Sequence, residues 1–229
     1  MTISLDHVFI CTAVNAPEAQ ALLTFGLIEG SSNVHPGQGT ANRRFFFEGG
    51  FIELLWVANP VDAQSELTTP TRLWDRWSGS VNSQNTRQNA QICPFGIGFS
   101  AIGEAAAPPP FESWAYHPRY LPADKSILFA KGTPLSEPEL FYLSWPNPQT
   151  SSAIQPKQYK APLQRMLSVS VGMTRVPNLS AAAQKAVSAG LLKFHTSAAY
   201  ELVIDFQASE AVTLDLRQSL GLVLRGLVK

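Results

Sequence analysis

Charge of either sign is scarce in this chain and in balance. Lys+Arg and Asp+Glu number 17 each among 229 residues, so no net field draws the protein to nucleic acid or to an anionic membrane. Arg43-Arg44 is the one basic pair, and the clustered positive footprint of a nucleic-acid binder is missing. Cysteine is scarce too. Cys11 and Cys93 form neither a CxxC nor a disulfide framework, and both sit in apolar surroundings, as reduced core residues do. No apolar run approaches about 18 residues, the length a membrane-spanning helix needs. The N-terminus lacks a basic stretch followed by a long apolar core, which argues against a signal peptide and makes the cytoplasm the default compartment. GxGxxG, P-loop, HExxH and GxSxG patterns are all absent, which removes support for nucleotide cofactors and for α/β-hydrolase chemistry.

What is present reads as a globular chain with a sizeable core: 45% hydrophobic and 10% aromatic residues. Residues 3–12 alternate as a strand, with Ile3, Leu5, His7, Phe9 and Cys11 on one face. Asn15 is expected to cap a helix that carries Pro17 and Glu18 in its first turn and stops at Gly26. After a short strand near 31–35, residues 43–47 and 51–57 read as strands joined by Glu48-Gly49-Gly50. The order is β-α-β-β-β. A helical insert is expected near 71–80, with Trp74 and Trp77 on one face. Strands at 95–101, 126–130 and 140–145 make a second unit. A Pro-, Ser- and Gln-rich stretch at 147–165 reads as a linker. Residues 166–229 repeat β-α-β-β-β, with a helix capped by Asn178 and ended by Gly190. Recurrence at roughly 75 to 90 residues points to internal repetition.

Two polar residues stand out because each lies inside an apolar strand, where a charged or metal-binding group must find a partner. His7 interrupts ISLDHVFIC, and Glu53 shares a face with Phe51, Leu55 and Val57. His7 has a structural reading as a hydrogen-bonded core histidine, and Glu53 has one as the ion-pair partner of Arg43 or Arg44. Imidazole plus carboxylate on neighbouring strands also makes a partial site for Zn²⁺, Fe²⁺, Mn²⁺ or Ni²⁺. His35 and Asn42 flank the loop before the hairpin. By alternation, one of Arg43 and Arg44 faces a cleft, where its planar fork suits a carboxylate or phosphate. His117, in the second unit, is a further cleft candidate, and Phe45, Phe47, Trp56, Trp74 and Trp77 supply aromatic walls. Glu201 and Asp205 alternate against apolar neighbours and read as solvated, as does His195 at a strand end.

The LDHV strand, the following helix and meander, and the FIELLWV strand resemble the vicinal oxygen chelate superfamily of glyoxalase I, bleomycin-resistance proteins and extradiol dioxygenases. HPGQGTANRRFFF…FIELLWV, TRLWDRW, WAYHPRYLP and LDLRQSLGLVLRG more specifically resemble a bacterial glyoxalase-like domain family, over most of the chain. The resemblance implies an α+β fold in which paired βαβββ modules curl into a half-open mixed sheet around a divalent metal. It places a module pair over 1–146, the linker over 147–165 and a third module over 166–229 packed on the first two. It assigns His7 and Glu53 as metal ligands, with Glu53 also catalytic. The second half departs from the pattern: Phe95, Gly96 and Ile97 stand where a His is expected, and Tyr142 about where a Glu is expected. The absent ligand would come from Glu139, His117, His35 or a second subunit of a homodimer, or the protein binds no metal at all.

Two readings follow. In the first, the protein is a glyoxalase-like enzyme of isomerase, lyase or dioxygenase type that acts on a small substrate with adjacent oxygens. His35, Asn42, Arg43, Arg44, Trp56 and His117 would bind that substrate, with Arg43 or Arg44 anchoring its anionic group. In the second, it is a non-catalytic protein that sequesters a small aromatic or apolar ligand in the same cleft. Neither involves nucleic acid or a membrane.

Overall fold

The computed structural model describes residues 3–82, 91–102, 107–145, 155–156, 161–176 and 178–228. The first unit runs β1 (Ile3–Cys11), α1 (Ala19–Phe25), β2 (Asn33–His35), β3 (Thr40–Phe47) and β4 (Gly50–Val57). Its hairpin turns at Glu48-Gly49, where Gly49 takes φ +80°, a backbone state that favours a residue without Cβ. Helix α1 starts later than the Asn15 cap implies. Asn15 and Ala16 both have positive φ and form a tight turn, so the helix begins at Ala19, while the Glu18 carboxylate reaches back to accept from the Ala13 N–H at 3.3 Å.

A helical insert follows: α2 (Pro60–Ala63), a 3₁₀ turn at Thr69–Thr71, and α3 (Leu73–Asn82). The second unit is β5 (Phe95–Ala101), β6 (Ser113–Tyr116), β7 (Ile127–Ala130) and β8 (Glu139–Leu143). Among the described residues, no helix separates β5 from β6. The two units merge in one eight-stranded sheet ordered β2-β3-β4-β1-β5-β8-β7-β6. In each, the last strand pairs parallel with the first, and the units meet at the antiparallel β1–β5 seam. The sheet curls into a half-open barrel, an α+β arrangement of the glyoxalase-like kind that the sequence implies.

The third segment is β9 (Leu163–Met173), α4 (Ala181–Ser188), β10 (Lys193–Thr196), β11 (Glu201–Ala208), β12 (Val212–Leu216), α5 (Arg217–Leu220) and β13 (Leu222–Leu227). Most of the expected linker lies outside the described residues, and its last three positions belong to β9. The element order resembles the first unit, but the pairing does not. In this five-stranded sheet, ordered β10-β9-β11-β13-β12, the first strand is paired on both sides, with parallel β10 and antiparallel β11. Ser180 rather than Asn178 caps α4, its Oγ accepting from the Ala183 N–H. Glu137, ahead of β8, accepts from both the N–H and the hydroxyl of Ser180, tying the second unit to the third segment. Half-buried pairs replace the expected wet face: His195 contacts Ser170 and Glu201, while Asp205 holds Ser168 and Arg225.

Alternation, broken in β1 between Leu5 and His7, divides the large sheet into two faces. Val8, Ile10, Phe45, Phe47, Leu54 and Ile97 point one way into the main core, shared with the third segment through Phe47 against Phe206 at 4.6 Å. His7, Phe9, Glu53, Leu55 and Phe141 point the other way, into the concave side. Two glycines of β5 make room there. A Cβ on Gly96 would lie 2.0 Å from the Phe9 ring, and one on Gly98 would lie 2.5 Å from the Phe141 ring. Gly96→Ala is therefore expected to cost about 1–3 kcal/mol of overpacking, read as a lower urea midpoint at unchanged m-value.

Candidate functional site

The concave side holds a cleft of about 210 Å³. His7 and Glu53 stand at its centre because β1 and β4 pair in parallel and place both on the inner face. A register shift between Leu5 and His7 makes Asp6 an extra residue in β1. Such a bulge re-aims a side chain, and here Asp6, itself buried, meets His7 Nδ1 at 2.6 Å. That contact orients the ring so that Nε2 faces Glu53 Oε2 at 3.4 Å. Asn42, from β3, donates to Glu53 Oε1 at 2.5 Å. The imidazole stacks on Phe51, with centroids 4.3 Å apart, and meets Phe141 edge-on at 5.1 Å.

Burial opposes charge on the His7 imidazole, but the bonds and charges of Asp6 and Glu53 outweigh it and raise its pKa to about 9. Glu53 is likewise opposed by burial, yet His7, His35 and Asn42 hold its carboxyl down at about 2. The pair is therefore an imidazolium and a carboxylate at neutral pH. Burial depresses His35 below its ordinary value; its Nδ1 contacts Thr40 Oγ1 at 2.8 Å and its ring lies beside Tyr120. Tyr120, on the loop between β6 and β7, donates to Gln38 Oε1 and closes this polar wall.

Arg44 is the arginine that turns to the cleft. It pairs in register with Glu53, packs over Phe46 and Phe51, and donates through Nε and Nη2 to Ser31. Arg43, one residue out of phase, leaves the site and pairs with Glu29. Trp56 is also out of phase with Glu53 and is buried in the main core. His117 is exposed and away from the cleft lining. Phe45 and Phe47 face the main core as well. The aromatic wall comes instead from Phe9, Phe51, Phe129, Phe141 and Trp145. Asp6, Gln38, Tyr120 and this wall were not singled out from sequence. Asp6 has a visible signal, a carboxylate beside a histidine in an apolar strand, whereas Tyr120 lies in a loop with no strand alternation to orient it, although within the WAYHPRYLP segment.

A 3.4 Å gap is one that a divalent ion could bridge, but a catalytic zinc usually has three protein ligands. The facing strands offer Gly96, Gly98 and Phe141. Tyr142, expected where a Glu would stand, points to the opposite face and donates to the Ala107 carbonyl. Glu139 is taken by Arg76 at 3.2 Å. Among the described residues, no three His, Cys, Asp or Glu side chains gather to hold an ion. The donors present do not fit a resident metal of the three-ligand kind. Both cysteines are buried and free, with burial pushing their thiols up to about 12. None of the described helices is long and apolar enough to cross a membrane.

The family match agrees with this architecture. Residues 5–185 match the family described as Glyoxalase-like domain. No curated protein matches the chain. Among solved structures, a hypothetical protein from Staphylococcus aureus is 11% identical, with a TM-score of 0.47 and coverage of 99% of this chain and 100% of that one. A xylose isomerase-like TIM barrel/4-hydroxyphenylpyruvate dioxygenase fusion protein is 9% identical, also at 0.47, over 92% of this chain and 37% of that one. On the extent of the family match, the chain belongs to the glyoxalase-like domain family of the vicinal oxygen chelate superfamily.

Proposed function

We propose that the protein is a glyoxalase-like small-molecule enzyme of acid–base type, an isomerase or lyase acting on a substrate with adjacent oxygens and an anionic group. The observation that carries this reading is the His7–Glu53 pair, buried at the centre of the cleft with Nε2 and Oε2 3.4 Å apart. A substrate oxygen that takes the His7 Nε2–H withdraws that proton donor from Glu53 and restores basicity to the carboxylate. Glu53 Oε2 then takes the proton from the carbon beside a carbonyl. The C–H electron pair moves to the carbonyl oxygen, and the imidazolium meets the developing oxyanion. In an α-hydroxy carbonyl substrate, Glu53 returns the proton to the former carbonyl carbon. The hydroxyl proton of the neighbouring carbon passes to the oxyanion through the His7 imidazole, and that hydroxyl oxygen becomes the new carbonyl, which completes an isomerisation. Asn42 holds Oε1 so that Oε2 is the working oxygen, Asp6 keeps the imidazole in orientation, and Arg44 receives the anionic group.

The apolar walls favour a second reading, sequestration of a ligand without chemistry. Deuterium uptake from D₂O at carbons beside the carbonyl of small 2-oxo and hydroxy-keto acids, followed by proton NMR, separates the two. Exchange that Glu53→Gln slows about 10²-fold or more supports the enzyme. Exchange at the same rate in wild type and variant refutes it.

A further inference from the structure

The inner faces of β5 and β8 define what this cleft accepts. Gly96 and Gly98 occupy the β5 positions that face His7 and Phe9 across the seam. Neither glycine leaves open space, because the Phe9 ring fills the one and the Phe141 ring fills the other. Phe141 in turn meets Phe9 at 6.1 Å and Phe129 at 6.0 Å, and Trp114 stacks on Phe129 at 5.4 Å. This is a continuous set of rings, locked from behind, that ends in the cleft beside His7. Where it lines the cleft, the half of the barrel opposite the ion pair is thus an apolar, largely aromatic wall, and Glu139, in phase with Phe141 on β8, is held by Arg76.

Size and polarity narrow the occupant further. Roughly 150 Å³ accommodates benzene, so about 210 Å³ holds one substituted ring. A planar ring gains edge and face contacts against phenyl groups that a puckered aliphatic of equal volume does not. At the polar end, an oxygen substituent finds the His7 Nε2–H and Glu53. At the Arg44 end, Nη1 has no acceptor among the described residues, since Nε and Nη2 are spent on Ser31.

We propose that the cleft takes a planar single-ring aromatic acid carrying a ring hydroxyl or carbonyl oxygen. The ring lies against Phe141 and Phe129, the oxygen meets His7 and Glu53, and the carboxylate meets Arg44. Phe141 and the glycine behind it, Gly98, are the specificity-determining positions. This rests on the cleft being the small-molecule site of the proposed function, and calorimetric probes read binding in it rather than turnover.

Titration calorimetry with 4-hydroxybenzoate, benzoate, phenol and cyclohexanecarboxylate tests it on the full chain. 4-Hydroxybenzoate is expected to bind about 3- to 10-fold tighter than cyclohexanecarboxylate, the range of an aromatic pair contact. Phe141→Leu should erase that preference. Gly98→Ala, which keeps the ring but displaces it, should reduce it, with circular dichroism confirming that both variants fold. Arg44→Gln should weaken both hydroxybenzoate and benzoate and leave phenol unchanged. Equal binding of the saturated and aromatic acids overturns the ligand class while the cleft stands as a small-molecule site. Binding of 4-hydroxybenzoate that neither Phe141→Leu nor Arg44→Gln alters overturns the placement. Binding of no probe overturns the proposal, and the deuterium-exchange experiment then decides the reaction separately.

Discussion

Glu53→Ala is expected to lower the unfolding free energy by about 3–5 kcal/mol, because it strands a buried imidazolium whose remaining partner is Asp6. The loss has a pH signature. His7 keeps its proton up to about pH 9 in the folded chain, against 6.5 ordinarily. Its contribution is therefore whole below pH 6.5 and disappears as pH rises through about 9. Glu53 stays ionised down to about 2, against 4.5 ordinarily, so its contribution is whole above pH 4.5 and disappears as pH falls through about 2. The stability gap between wild type and Glu53→Gln should be widest between pH 4.5 and 6.5. Urea titrations across pH 2–10 measure it, and a gap that does not vary with pH would mean that the two groups are not paired in solution.

Arg76→Met is expected to cost a similar 3–5 kcal/mol with no residue of the cleft altered. Arg76 sits on α3, is completely buried, and donates through Nη1 to the carbonyls of Cys93 at 2.5 Å and Glu137 at 2.9 Å. Its Nη2 meets Glu139 Oε2 at 3.2 Å. Removing it leaves the carbonyls of Cys93, Leu135 and Glu137 without that donor, and a carboxylate whose pKa burial already pushes up. Neutralising both partners should be milder. Arg76→Met/Glu139→Gln should recover much of the loss, and thermal unfolding of the double-mutant cycle reads the coupling. At about 2–4 °C per kcal/mol for a chain of this size, the single variant should melt roughly 6–20 °C lower. A double variant no more stable than Arg76→Met would show that the carbonyl contacts, not the ion pair, carry the cost.

The first unit was legible because its strands alternate and its polar exceptions are few. His7 and Glu53 declared themselves as charges within apolar runs, and parallel pairing of β1 with β4 puts them together. The same alternation, carried three residues on from Glu53, already excludes Trp56. Choosing between Arg43 and Arg44 needed the β3–β4 register, which long-range pairing sets. The second unit hid its inner face. β8 is buried on both sides, so nothing in its sequence says whether Phe141 or Tyr142 faces the cleft. The third segment repeats the order of elements but not their pairing, and order is all that a sequence pattern shows.

The placement of that last segment has a consequence for how the protein is made. Every residue assigned to the cleft lies before position 146, so a ribosome releases them all first. Yet the outer face of the β3–β4 hairpin, which carries Asn42 and Glu53 on its inner side, is backed by β9 and β11: Glu48 exchanges backbone bonds with Gln164 and Met166, and Phe47 packs on Phe206. During synthesis that hydrophobic back remains open until the final third emerges. The nascent cleft is complete in its parts but unsupported, and a stall before β11 would leave an aggregation-prone surface rather than a working intermediate.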